Sequence, residues 1–202
     1  MRYFSNQVAE ITEHVYLSSV GGVTQERSLE EHGITHIVNV ATELQDLKYP
    51  QDDLKIKRVS LRDSVTENIL PHLESLVDHV DEVARQGGRV AVHCIAGVSR
   101  SATVCIAYLV KHHHMTLKQA YRKVYKAREV IYPNRSFWAS LVAFEELYHD
   151  NSTVEMLPYI CGMEPSVYQR DTEMRIRHGW MGELGTMWLF HLVLMLVQVY
   201  FA

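Results

Sequence analysis

A predicted strand and a predicted helix are separated by only about five residues, and this junction constrains the fold more than any other feature. Residues 89–94, "RVAVHC", are rich in β-branched and apolar side chains, and "SATVCIAYLVK", from residue 101, has a helical pattern. The residues between them, "IAGVS" at 95–99, therefore form a tight loop from the end of a strand into the start of a helix. In α/β sheets, ligands bind at such strand ends.

Further apolar runs predict the rest of a sheet. We expect strands at residues 14–20, 34–41, 54–61 and 89–94. Apolar residues at helical spacing predict a long helix over 69–86. Strands that alternate with helices favour an α/β fold, here a central mixed sheet of about five strands flanked by helices.

Capping signals predict three more helices. Thr24 precedes a helix over 25–32, which Gly33 ends. Thr116 and Gln119 have the spacing of a capping box for a helix that begins at Leu117. Pro133 and Asn134 open a last helix, over about 137–149.

Composition excludes several classes of protein. A formal net charge of −4 and the lack of a long basic run give no indication of a nucleic-acid binder. Three cysteines, an odd and sparse set, argue against a disulfide framework and for a reducing compartment. The N-terminal residues lack the apolar core of a signal peptide.

The last 19 residues differ from the rest, because residues 184–202 contain no Asp, Glu, Lys or Arg. A transmembrane helix needs roughly 20 apolar residues, so this tail is at the lower limit, and His191 and Gln198 weaken the case further. A packed or interfacial helix and a C-terminal membrane anchor both remain open, and the sequence favours the first.

The loop at 95–99 has the chemistry of an anion site. Amides at a helix N-terminus have no intrahelical acceptor, and the helix dipole adds positive charge there. Gly97 permits a sharp bend, and Arg100 provides a planar fork for two phosphate oxygens. Cysteine thiols at helix N-termini can ionise near neutral pH, which would make Cys94 a nucleophile assisted by the hydroxyls of Ser99 and Ser101.

The segment "HCIAGVSRS" matches His-Cys-x5-Arg-Ser, the signature of cysteine-dependent protein phosphatases, and the chain resembles the small atypical dual-specificity phosphatases. The likeness covers about residues 11–150 and continues through "STVEMLPYICGMEPSVYQRDTEMR". It implies a cysteine-phosphatase fold with a catalytic domain over 1–155, a C-terminal extension over 156–183 and a hydrophobic tail over 184–202.

The resemblance also implies a role for each site residue. Cys94 would attack phosphorus, Arg100 and the backbone of the loop would bind the phosphoryl oxygens, and Asp63 would be the general acid. The loop residues concerned are Ile95, Ala96, Gly97, Val98 and Ser99. Supporting residues are His93, which orders hydrogen bonds, Ser101, which eases release of the thiolate, and Asn134, which braces the loop.

Some features of the sequence weaken or compete with this assignment. Glu67 is a second candidate for the general acid. Relatives usually have Arg before Pro133 and Gly where Ser136 stands, and the connection that ends at Asn134 is one residue short. The rim of the pocket is therefore less well defined than its floor.

The function expected is hydrolysis of phosphotyrosine and phosphoserine or phosphothreonine in proteins, without metal or cofactor. The alternatives are a phosphoinositide or other non-protein phosphatase, and a phosphate-binding scaffold with low turnover. Adjacent helical residues point about 100° apart, so His112, His113 and His114 do not predict a zinc site. The implied partners are phosphorylated proteins, with signalling kinases as candidates, in the cytoplasm or nucleus, and the tail adds membrane or mitochondrial association as an option.

Overall fold

A five-stranded sheet forms the centre of the computed structural model, which describes residues 6–159 and 162–168. The strands are β1 (Ala9–Glu10), β2 (Val15–Ser18), β3 (His36–Asn39), β4 (Lys55–Arg58) and β5 (Val90–His93). Their order is β1-β2-β5-β3-β4, with β1 antiparallel to β2 and all other pairs parallel. The predicted mixed sheet is confirmed, although β1 was not predicted.

Helices cover both faces of this sheet. They are α1 (Val20–Val23), α2 (Glu26–His32), α3 (Leu70–Arg85), α4 (Arg100–His112), α5 (Leu117–Ala127) and α6 (Arg135–Glu146), with a 3₁₀ helix at Thr42–Leu44. On one face, Tyr16, Ile37 and Ala91 pack with Val23 of α1 and Leu29 of α2. Because side chains alternate along a strand, the residues between them face the other side, where α4 packs on β2 and β5.

The predicted helix over residues 69–86 is confirmed, and its apolar stripe is its buried face. The buried residues of α3 are Leu73, Leu76, Val77, Val80 and Val83. The central helix α4 is buried from Arg100 to Val110, since α3, α5 and α6 all pack against it. The surrounding helices therefore fix the position of its first turn, which begins at Arg100.

The prediction that Thr24 caps the helix over 25–32 is wrong. Thr24 follows the short helix α1, and its Oγ1 donates to the carbonyl of Val20. Gln25 occupies the N-cap position of α2 without a side-chain hydrogen bond. The strand predicted to reach Val20 stops at Ser18, because Ser19 caps α1 by accepting from the amide of Gly22.

The other two capping predictions are confirmed. Thr116 and Gln119 form a reciprocal capping box at the start of α5, and Asn134 caps α6 by accepting from the amide of Phe137. Both signals depend on residues within one turn of the helix, which the sequence displays directly.

The chain divides into two compact units after Glu155. The second unit contains an antiparallel hairpin of β6 (Met156–Tyr159) and β7 (Gly162–Pro165). The hydrophobic tail over 184–202 lies outside the described residues. Among the residues that are described, no helix has the length and apolar character to cross a membrane.

Candidate active site

The sheet places one cysteine at the carboxyl end of its middle strand. His93 ends β5 and pairs with Ser18 of β2 on one side and Asn39 of β3 on the other. Cys94 follows directly and is 2% exposed. The chain then passes through residues 95–99 and enters α4 at Arg100, as the sequence predicted.

The 95–99 loop turns its carbonyl groups outward. Every carbonyl in it accepts a hydrogen bond from outside the loop: Ile95 from the amide of Val20, Ala96 and Gly97 from the guanidinium of Arg128, Val98 from the amide of Tyr132, and Ser99 from Thr103. Within residues 6–159 and 162–168, the amides of residues 95–98 have no acceptor. A ring of amides without acceptors at a helix N-terminus binds a tetrahedral oxyanion.

Gly97 is required by the close approach of this loop to β2. Its φ is +67°, in the left-handed region, and a Cβ there would lie 2.5 Å from the carbonyl oxygen of Ser18. Any larger residue would push the loop away from the strand.

The sulfur of Cys94 is 3.2 Å from the hydroxyl of Ser101, the second residue of α4. This hydroxyl stabilises negative charge on the sulfur when it donates to it. Cys105 is also buried, but it lies among apolar residues in the middle of α4, and burial raises the pKa of its thiol. The two cysteines are thus a nucleophile candidate and a core residue.

Arg100 is nearly fully buried and held from one side. Its Nη1 donates to Oε2 of Glu43 at 2.6 Å and to the carbonyl of Leu61 at 2.8 Å. Burial opposes its charge, but the negative groups around it, led by Cys94 and Asp63, raise the pKa of Arg100 above its ordinary value. Its Nε is buried without a hydrogen-bond partner among the described residues, so this donor remains for a bound anion.

Asp63 lies in the same cluster. Its Oδ1 accepts from the hydroxyl of Ser99 and from Nδ2 of Asn134, both at 2.8 Å, and its Oδ2 is 3.9 Å from Nε of Arg100. The backbone N–H of Asn134 also contacts the loop, because it donates to the hydroxyl oxygen of Ser99. The second acid candidate, Glu67, instead accepts from Arg62 at 3.2 Å.

His93 lies behind the loop rather than in it. Burial lowers its pKa to about 4, so the ring is neutral at physiological pH. Its Nδ1 is 3.1 Å from the carbonyl oxygen of Cys94 and its Nε2 is 2.7 Å from Oη of Tyr49. A neutral ring with both nitrogens in hydrogen bonds orients the loop and takes up no proton.

Comparison with known proteins agrees with this geometry. Residues 15–147 match the family model described as dual specificity phosphatase, catalytic domain. The chain belongs to the dual specificity phosphatase family. Human dual specificity protein phosphatase 14 is 37% identical over 165 residues, 82% of each chain. Human dual specificity protein phosphatase 18 is 32% identical over 169 residues, 84% of this chain and 89% of the relative.

Solved structures resemble this phosphatase in the same region. Human DUSP28 superposes with a TM-score of 0.66 at 33% identity, covering 69% of this chain and 93% of that one. Human tyrosine phosphatase-like serine/threonine/tyrosine-interacting protein superposes with a TM-score of 0.65 at 29% identity, covering 70% and 97%. The resemblance stated from the sequence is confirmed, and with it the fold and the class of enzyme, a dual-specificity protein phosphatase.

Three residues that contact the site of this phosphatase were not predicted. Arg128 holds the carbonyls of Ala96 and Gly97, Glu43 holds Arg100, and Tyr49 holds His93. No sequence signal separates Arg128 from the basic residues of α5, which precedes it, nor Glu43 and Tyr49 from the polar segment around them. These contacts arise only from packing.

The three adjacent histidines lie apart from the site. His112 faces Asp78 and Asp81, and His113 lies 3.2 Å from the hydroxyl of Tyr108. His114 follows with a φ of +52°. In the described part of the phosphatase, no group of three or more His, Cys, Asp or Glu side chains is arranged to hold a metal ion.

Proposed function

We propose that this phosphatase hydrolyses phosphorylated tyrosine, serine and threonine in proteins by way of a phosphocysteine at Cys94. One observation supports this assignment of residues: all the carbonyls of the 95–99 loop point outward. The amides of residues 95–98 and Nε of Arg100 are therefore left as donors beside the sulfur. These donors match the three equatorial oxygens of a transferring phosphoryl group.

In the first step the thiolate of Cys94 forms a bond to phosphorus while the phosphorus–oxygen bond to the substrate breaks. The leaving oxygen takes a proton from Asp63, which supplies roughly 10² to 10⁴ in rate. Asp63 reaches this position through Ser99 and Asn134, which hold one of its oxygens. The other oxygen, Oδ2, lies 3.9 Å from Nε of Arg100, the donor left for the phosphoryl group.

In the second step water attacks the phosphocysteine. Asp63, now ionised, takes the proton of the water, and the sulfur–phosphorus bond breaks. The hydroxyl of Ser101, 3.2 Å from the sulfur, donates to the departing thiolate and makes it a better leaving group.

Phosphorylated proteins are the proposed partners, with signalling kinases among the candidates. The five loop residues carry no ionisable side chain, so the floor of the pocket neutralises one phosphate through amides and Arg100. A substrate with several phosphates, such as a phosphoinositide, would need further cations there. The uncharged loop therefore favours a protein substrate.

The test compares the wild type with Cys94→Ser and Asp63→Asn on phosphotyrosine and phosphothreonine peptides and on a phosphoinositide in mixed micelles. Cys94→Ser should lose nearly all activity, and Asp63→Asn should lose most on phosphothreonine, whose alkoxide leaves poorly without a proton. Cys105→Ala is the matched control and should remain active. An active Cys94→Ser variant would contradict the mechanism, and a preference for the phosphoinositide would contradict the substrate class.

A scaffold with low turnover is the remaining alternative. It predicts that the wild type binds phosphopeptide without releasing phosphate, so the same assay decides between the two. The presence of Cys94, Asp63 and Arg100 in one cluster supports turnover.

A location in the cytoplasm or nucleus, with membrane or mitochondrial association through residues 184–202, is likewise a proposal. It is supported by the composition of the tail, which carries no Asp, Glu, Lys or Arg. Co-sedimentation of the full chain and of a chain ending at Glu183 with phospholipid vesicles tests the membrane part. Equal sedimentation of the two would exclude an anchoring tail.

A further inference from the structure

The connection between β3 and β4 reaches the catalytic strand through the side chain of Tyr49. Its Oη lies 2.7 Å from Nε2 of His93, and the two rings meet edge to face at 77°, with centroids 5.7 Å apart. Arg58 of β4 lies over the tyrosine ring, 5.7 Å from its centroid, and its Nη2 donates to the carbonyl of Leu47 in the same connection. Tyr49 is thus held between the edge strand and the middle strand.

The direction of hydrogen bonding follows from what each atom can donate. The carbonyl oxygen of Cys94 has no hydrogen, so Nδ1 of His93, at 3.1 Å, must carry one. Because burial lowers the pKa of His93 to about 4, the ring holds only that proton at neutral pH. Nε2 therefore accepts, and the phenol of Tyr49 donates to it.

This arrangement decides where the first amide of the loop points. In a planar trans peptide the C=O and the N–H point in opposite directions. With the carbonyl of Cys94 turned to His93, the amide of Ile95 points away from the histidine, and it has no acceptor among residues 6–159 and 162–168. In the other tautomer Nδ1 would face the carbonyl of Cys94 with a lone pair, and the hydrogen bond that orients this peptide would be lost.

We propose that Tyr49 is a positioning residue of this phosphatase: its hydroxyl fixes the Nδ1–H tautomer of His93, which keeps the Ile95 amide directed at the bound phosphate. The inference rests on the proposed function of the 95–99 loop. It assigns a part in the reaction to the β3–β4 connection, whose sequence indicates only a polar surface segment.

Tyr49→Phe tests this inference, because it removes the hydroxyl and keeps the ring. We expect kcat/KM for an aryl phosphate to fall roughly three- to tenfold, the effect of one neutral hydrogen bond. Imidazole ¹⁵N chemical shifts of His93 in the full-length protein should show the Nδ1–H form in the wild type and a mixture of tautomers in the variant. Tyr148→Phe is the matched control, because the hydroxyl of Tyr148 donates to Glu74 and not to a site residue. Tyr148 follows the C-terminal end of α6, whereas Asn134 caps the N-terminal end.

A double variant separates positioning from a general loss of structure. In a His93→Asn background, Tyr49 has no imidazole to orient, so adding Tyr49→Phe should cost no further activity. An equal loss in both backgrounds, or an unchanged His93 tautomer in Tyr49→Phe, would overturn the inference. The tautomer is measured without substrate, so it tests Tyr49 even if the wild type fails to hydrolyse phosphopeptides and the proposed function falls.

Discussion

At the scale of single residues, two buried arginines divide the work of the loop. Arg100 lies beside the sulfur and keeps Nε for an anion, whereas Arg128 uses its guanidinium to hold the carbonyls of Ala96 and Gly97 from behind. Both are nearly fully buried, and burial lowers the pKa of Arg128, with the charge of Cys94 opposing the change. In the proposed mechanism one arginine binds the phosphoryl group, and the other holds the loop that binds it.

Arg128→Lys should therefore weaken the binding of phosphate, because Arg128 holds the carbonyls of the loop that binds it. A lysine keeps the charge but lacks the planar fork that reaches two carbonyls, so at least one charge-assisted hydrogen bond is lost. We expect the inhibition constant of inorganic vanadate to rise roughly tenfold, within the range for such a bond. Arg122→Lys, at an exposed site of α5, the helix that ends just before Arg128, is the control, and an equal effect in both variants would contradict this role.

At the scale of elements, Asn134 at the start of α6 both caps the helix and contacts Asp63, the proposed general acid. Oδ1 of Asn134 accepts from the amide of Phe137, while its Nδ2 donates to Asp63. Two residues later, the hydroxyl of Ser136 donates to the carbonyl of Glu67 at 2.7 Å. The departure from the family pattern at Ser136 thus adds a contact between α6 and the segment that carries Asp63.

Asn134→Ser separates the two functions, because serine also caps helices but has no amide to donate to Asp63. We expect the melting temperature to stay within a few degrees of the wild type, since serine and asparagine cap about equally well. The rate on phosphothreonine peptide should fall more than the rate on an activated aryl phosphate, whose leaving group needs little protonation. A parallel fall in both rates would show that Asn134 acts on the loop and not through Asp63.

At the scale of the whole molecule, burial of a histidine at the centre of the sheet links stability to pH. His93 is 0% exposed and its pKa is lowered from 6.5 to about 4, chiefly by burial. Between these two values the unfolded chain binds a proton that the folded chain does not. The free energy of unfolding must therefore fall as the pH falls through this range.

The expected size of this effect is about 3 kcal/mol between pH 6.5 and pH 4, at 1.36 kcal/mol per pKa unit. Urea unfolding at several pH values gives the slope of the free energy of unfolding against pH, and His93→Gln should remove about 3 kcal/mol of the total change between pH 6.5 and pH 4. His72→Gln, at an exposed site of α3, should leave the slope unchanged. If the free energy of unfolding changed with pH equally in the wild type and in His93→Gln, His93 would not be the residue that titrates.

The sequence alone determined the features that depend on neighbours along the chain. Three features could be predicted: the strand–loop–helix junction, the capping box at Thr116 and the cap at Asn134. Each involves only residues within one helical turn or at one strand end. The same locality misled at Thr24, where a cap residue can end one helix as readily as begin the next.

Only the tertiary structure decided which distant side chains support the site. Glu43, Tyr49, Asp63 and Arg128 are between 31 and 57 residues from the residues they contact within 93–100. Asp63 was found because the family resemblance marks its position, whereas the other three look like ordinary polar residues in the sequence. Their effect on the loop comes from contacts between segments far apart in the chain, and such contacts depend on how strands and helices pack, which no short stretch of sequence contains.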